Sequence, residues 1–234
     1  MQTLFERVGA TSYPGRGLVA GRTQDGKLYL AYFIMGRSEN SRNRVFVPTD
    51  DGIRTEAYDP AKMVDPSLII YAPVRRVGDV TVVTNGDQTD TIRDFLRMGH
   101  SFTEALRTRR FEPDAPNFTP RVSMIVKNDG RVEMAILKSG DAQGKSCTRN
   151  FFEYEALVPG TARFLHTYLS DGKPIPSFEG EPESASLSGS FDEMTNGIWE
   201  ALDHDNRVSL WAELLDPSDG TYSERIINRN GEEG

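Results

Sequence analysis

Runs and alternations of apolar residues divide the chain into strand-like and helix-like stretches. "GLVAGRT" (17–23) and "LYLAYFIM" (28–35) flank the turn Gln24-Asp25-Gly26-Lys27 and predict a β-hairpin, Asp-Gly supplying the positive φ angles of a tight turn. The second strand is apolar on both faces, as a strand covered on both sides would be. After the polar "RSENSRNR" (37–44), the runs "RVFVPTDDG", "IRTEAYD" and "SLIIYAPVRRVGDVTVVTNG" continue the β pattern, with Gly78-Asp79 punctuating the last. About five strands are expected before residue 86.

The period then changes. From Gln88 to Arg109, Ile92, Phe95, Leu96, Phe102, Ala105 and Leu106 recur at helical spacing. Gly99 divides this stretch into two helices, and Ser101 with Glu104 forms a capping box for the second. Beyond the proline-rich "FEPDAPNFTPR" (111–121), a hairpin is expected about Asn128-Asp129-Gly130. Two further strands follow around Pro159-Gly160, then a polar loop over 171–189, a helix over 192–202 and a last hairpin over 207–228. Many antiparallel strands with two helical stretches interposed suggest two sheets flanked by helices. No internal repeat or separate linker is visible, so 1–234 reads as a single domain.

Composition narrows the function classes. With 234 residues and 37% hydrophobic content the chain can bury a sizeable core. It has no run of about 18 apolar residues that could span a bilayer, and its charged N-terminus is unlike a signal peptide, so a soluble, cytoplasmic protein without a membrane partner is expected. Cys147 is the single cysteine, which leaves no intramolecular disulfide. A net charge of −8 argues against nucleic acid as a partner, yet 21 Arg against 6 Lys favour small anionic ligands, because the planar guanidinium grips phosphate or carboxylate in two places.

Several motifs fail on their own chemistry. "GDAQGKS" (140–146) is one residue short of a P-loop and runs into a strand, whereas a phosphate cradle needs a helix there; it reads as a surface turn. His100, His166 and His204 lie far apart, so no metal site is expected. "DHDN" (203–206) lacks the acidic twelfth position and central Gly of a calcium loop and reads as a turn. No G-x-S-x-G elbow occurs. Where a strand ends at Asn85-Gly86 and a helix begins near Thr89, backbone N–H groups could face an anion, or Asp87 or Thr89 could cap the helix.

"YPGRGLVAGR" (13–22), the Asn43-Arg44 pair, "IIYAPVRRVGDVTVVTNGDQTDTI" (69–92) and "FEPDAPNFTPRVS" (111–123) occur in one order. In these stretches the chain resembles the stand-alone IMP cyclohydrolases of purine biosynthesis, over most of residues 13–126 and fading after about residue 140. The resemblance implies an α+β fold of the N-terminal-nucleophile-hydrolase type, a four-layer αββα sandwich used without self-processing, with residues 1–12 as an N-terminal extension. It implies closure of 5-formamidoimidazole-4-carboxamide ribotide to IMP with loss of water, and no cofactor. It implies catalytic roles for Arg44, Tyr71 and Glu112. Substrate contacts are expected from Arg16, Asn43, Asn85, Gly86, Thr89, Asp90 and Arg121, with Arg16, Asn85, Gly86, Thr89 and Arg121 the candidates for the phosphate. A homo-oligomer is expected. Two other functions remain open: a self-processing amidohydrolase with Thr11 or Ser12 as its nucleophile, and a purine nucleotide-binding protein without activity.

Overall fold

A computed structural model describes residues 1–231. The first hairpin forms as expected: β1 (Arg16–Arg22) and β2 (Leu28–Met35) pair antiparallel across a turn in which Gly26 has φ +92°. Every residue of β2 is buried, and the period of two explains why. Leu28, Leu30, Tyr32 and Ile34 face one apolar cluster, while Tyr29, Ala31, Phe33 and Met35 face another.

The remaining strands are β3 (Arg44–Thr49), β4 (Gly52–Ala57), β5 (Val74–Val77), β6 (Val80–Thr84), β7 (Arg121–Lys127), β8 (Val132–Ser139), β9 (Cys147–Tyr154), β10 (Thr161–His166), β11 (Glu183–Ser186), β12 (Arg207–Leu215) and β13 (Tyr222–Asn228). They make a six-stranded sheet, β11-β10-β1-β2-β12-β13, and a seven-stranded sheet, β3-β4-β5-β6-β7-β8-β9. Every named strand pair is antiparallel. The fold is α+β.

One apolar cluster joins the two sheets, with Tyr32 and Ile34 on one side and Phe46, Val122, Met124 and Ile136 on the other. A second holds β1 and β2 against helices α1 (Leu4–Val8) and α5 (Phe191–Ala201). A third packs β6, β7 and β8 against α3 (Gln88–Arg97) and α4 (Phe102–Arg107). Gly99, at φ +82°, separates α3 from α4, and Ser101 with Glu104 closes the expected capping box. Two polar ties also bridge the sheets. Arg76 of β5 binds Glu213 of β12 and Glu224 of β13, and Asn228 exchanges two hydrogen bonds with the Phe46 backbone, at 2.8 and 3.0 Å.

Four expectations are corrected. Six strands precede residue 86, not about five. "SLIIYAP" is no strand: between Pro66 and Pro73 it folds back on β4, where Thr55 Oγ1 donates to Ile69 O at 2.8 Å and accepts from Tyr71 N at 2.9 Å. The supposed polar loop over 171–189 contains β11, a short edge strand paired with β10. Two short helices were not visible in the pattern, α1 and α2 (Glu39–Arg42), each opened by a capping box, Thr3 with Glu6 and Ser38 with Ser41. Among the described residues no helix is long and apolar enough to cross a membrane.

Candidate active site

The turn that opens β1 sets the site. Gly15 has φ +80°, and a Cβ there would lie 2.4 Å from Thr167 Oγ1 and 2.5 Å from the Tyr168 ring. Only glycine allows this approach. The backbone is thereby laid against the residues after β10: Arg16 N donates to Thr167 Oγ1 at 3.2 Å, and Thr167 N donates to Arg16 O at 3.0 Å. Held so, Arg16 reaches Glu112, with Nη2 3.8 Å from Oε2.

Glu112 sits in the loop between α4 and β7, where its backbone N donates to Thr119 O at 2.9 Å. Its side chain is 2% exposed. Burial pushes the carboxyl up to about 6, against the pull of Arg16, Arg121 and Arg44. A carboxyl at that value exchanges protons readily near neutral pH.

Arg44 begins β3 and is 0% exposed. Its Nε donates to Ser41 O at 2.8 Å and its Nη2 to Met35 O at 3.4 Å, but Nη1 has no partner among the described residues. Burial lowers its pKa, and nearby Arg16 adds to that while Tyr71 opposes it. A buried, partly unpartnered guanidinium can serve an incoming negative charge. Tyr71, on the loop held by Thr55, places its hydroxyl 2.7 Å from that of Tyr32. Burial raises the Tyr71 pKa, while Arg44 and Arg16 draw it back.

Arg16, Tyr71 and Glu112 line one cleft, and Arg44 lies buried behind it, beside Tyr71 and Arg16. The cleft's main chamber, about 410 Å³, is bounded by Tyr13, Arg16, Arg37, Glu112, Asp114 and Tyr168. A narrow extension carries Tyr71, Gly86, Asp87 and Arg121, and Glu112 and Leu68 border both. The structure thus brings Arg16, Arg44, Tyr71, Glu112, Gly86 and Arg121 together. Arg121 Nη1 lies 2.7 Å from Asp87 Oδ1 and also binds Gln88, and a Cβ on Gly86 would meet it at 2.4 Å.

Other expected contacts sit differently. Asn85 is buried with its amide committed: Nδ2 donates to Pro120 O at 2.9 Å, and Oδ1 accepts from Val122 N at 2.9 Å and Gln88 Nε2 at 3.0 Å. Thr89 bonds Gly86 O at 2.9 Å and the Thr84 hydroxyl at 2.6 Å. Both fasten the junction of β6 and α3. Asp90 pairs with Arg75 and Arg93, outside the cleft lining. Asn43 exchanges hydrogen bonds with the Asp59 backbone and lines a separate cavity with Arg42, Tyr58 and Lys62. Asp87 does not cap α3 through its side chain, because its carboxylate is taken by Arg109 and Arg121. Sequence reasoning missed Tyr13, Tyr32, Arg37 and Tyr168. The one available signal was the pair of phenols, Tyr29 and Tyr32, in an otherwise apolar strand, since a buried hydroxyl needs a partner; only Tyr32 finds it at the site.

Elsewhere, the "GDAQGKS" loop is filled by its own Asp141, which accepts from the backbone N of Gln143, Lys145 and Ser146 at 2.9, 3.1 and 2.7 Å. "DHDN" is a turn in which Asp203 accepts from Asn206 N at 3.0 Å. Among the described residues no group of three or more His, Cys, Asp or Glu side chains could hold a metal.

Fold and site together define an α+β protein of two antiparallel sheets, with a cleft lined by guanidinium, phenol and carboxyl groups. A family model described as "IMP cyclohydrolase-like protein" matches residues 13–220, and the chain belongs to that family. The match continues well past residue 140, where similarity had been expected to fade. The chain is 30% identical over 203 residues to a Methanococcus aeolicus protein named IMP cyclohydrolase, covering 75% of this chain and 100% of the relative. It is 36% identical over 161 residues to the protein of that name from Methanococcus maripaludis strain S2, covering 67% and 74%. The solved structure of a Caenorhabditis elegans N-acylethanolamine-hydrolyzing acid amidase ortholog covers 87% of this chain and 94% of its own at 12% identity. Its TM-score of 0.38 is too low to bear on fold or function.

Proposed function

We propose that this protein is an IMP cyclohydrolase that closes 5-formamidoimidazole-4-carboxamide ribotide to IMP with loss of water, in de novo purine biosynthesis in the cytoplasm. Family membership supports the activity. The observation that carries the mechanism is that Glu112 and Tyr71 border one cleft with the buried Arg44 guanidinium close enough to act on both. The three apolar clusters, one between the sheets and one under each pair of helices, support a single domain layered as the αββα sandwich of N-terminal-nucleophile hydrolases.

A carboxamide nitrogen is a weak nucleophile, and the carbonyl it attacks is a formamide. Glu112 accepts the N–H proton as the new C–N bond forms. Tyr71 donates a hydrogen bond to the formyl oxygen, and the buried Arg44 guanidinium beside Tyr71 stabilises the charge that develops there through its field. Glu112 returns that proton to the oxygen, giving a neutral carbinolamine; it then takes the proton of the former formamide N–H and passes it to the hydroxyl, which leaves as water as the C=N bond forms. Arg16, beside Glu112, holds the carboxyl in place. Because both reacting groups belong to one molecule, holding the substrate in a folded conformer supplies much of the rate. The ribotide phosphate falls to Arg121 and the Gly86 backbone in the extension.

Purified protein mixed with the formylated ribotide in metal-free neutral buffer, with IMP followed by chromatography, tests the assignment. Acceleration over spontaneous closure is expected, and its absence overturns the reading.

A further inference from the structure

Tyr32 takes no part in the chemistry described so far, yet its hydroxyl sits behind the reacting one. It lies on β2, 0% exposed, with its ring stacked on Phe46 at 5.7 Å between centroids. Its hydroxyl meets the Tyr71 hydroxyl at 2.7 Å and no other partner among the described residues. Tyr71, by contrast, borders the cleft.

Hydrogen-bond accounting then fixes the direction of the pair. A buried O–H without an acceptor costs heavily, so the Tyr32 proton must go to the Tyr71 oxygen. If Tyr71 donated instead, the Tyr32 proton would be stranded in the apolar layer between the sheets. With Tyr32 donating, the Tyr71 proton turns away from Tyr32 and toward the cleft.

We infer that Tyr32 is a positioning residue for ring closure: by donating to the Tyr71 oxygen it presents the Tyr71 proton to the substrate's formyl oxygen. The role rests on the reaction proposed above. Hydrogen bonds in series also polarise one another, so the Tyr71 O–H is a better donor with Tyr32 behind it than alone. The other groups facing Tyr71 are Arg44, Arg16 and Glu112. Arginine cannot accept a proton, and Glu112 serves the opposite end of the reacting pair.

The test is a double-mutant cycle on the formylated ribotide with wild type, Tyr32→Phe, Tyr71→Phe and the double variant, all checked for an unchanged melting transition. Tyr32→Phe keeps the ring stacked on Phe46 and removes one oxygen. It should lower kcat about 10-fold, the scale of one well-placed hydrogen bond in a dry site, with KM changed less than about two-fold. In the Tyr71→Phe background the same substitution should cost nothing further. Equal losses in both backgrounds, or an unchanged kcat, would overturn the role.

A second readout needs no substrate, so failure of the reaction assignment and failure of this inference remain distinguishable. NMR of the unliganded protein should show a slowly exchanging phenolic proton with contacts to the Tyr32 ring, shifted in Tyr71→Phe. A proton carried by the Tyr71 oxygen and pointing at Tyr32 would refute the inference.

Discussion

A carboxyl raised to about 6 gives Glu112 two measurable signatures. In the proposed reaction it must be ionised to accept a proton, so kcat/KM should fall as pH drops through about 6, and Glu112→Gln should lose both this limb and about 10² or more in turnover. Arg44→Ala and Tyr71→Phe should lower turnover on a similar scale, measured by IMP formation. In folding the sign is opposite. The folded-state value lies above the ordinary 4.5, so the contribution of this group to stability is complete below pH 4.5 and is lost as pH rises through about 6. The loss amounts to about 2 kcal/mol by pH 8. Urea denaturation across that range should show a decline smaller by that amount in Glu112→Gln than in the wild type.

Elements decide where such side chains can point. Gly15→Ala combines a strained φ with a clash against Thr167 and Tyr168, so it should destabilise the protein by about 2 kcal/mol and depress activity by displacing Arg16 from Glu112. A melting curve paired with the cyclisation assay checks both. At this scale the hairpins were legible because Asp25-Gly26 and Asp129-Gly130 are turn chemistry written locally, and α3 and α4 because their apolar positions repeat every three to four residues. β11 was not legible: Glu183, Ser184 and Ser186 have little strand propensity, and the strand exists because β10 offers it an edge. The residues from Ser67 to Ala72 read as a strand for the opposite reason, since Thr55 takes over the bonds a ladder would make. The site was legible only as a set of residues. Arg16, read as a phosphate partner, lies beside Glu112, and Asn43 and Asp90 point elsewhere, because the direction of a side chain leaving a loop depends on packing that no local pattern encodes.

Across the whole molecule the two sheets meet through an apolar layer and a few polar ties. Arg76 is the strongest of these, because it neutralises Glu213, which is 1% exposed and whose pKa is already raised by burial. Arg76→Ala would leave that carboxylate buried and unpaired, at a cost of about 3 kcal/mol at pH 8. The cost should shrink as pH falls and Glu213, its pKa raised by burial, takes up a proton, which denaturant titrations at alkaline and acid pH would reveal.

The first helix carries a consequence for any attempt to detect self-cleavage ahead of Thr11 or Ser12. Leu4 and Val8 are packed among Ile198, Trp199 and Leu202, and Ser186 N donates to Gln2 O at 2.9 Å. A severed leader would therefore stay docked as a non-covalent peptide, and the nicked protein would pass through gel filtration and native mass spectrometry with its full 26.1 kDa. The cut would be seen only after denaturation, where an intact single chain is the expected result.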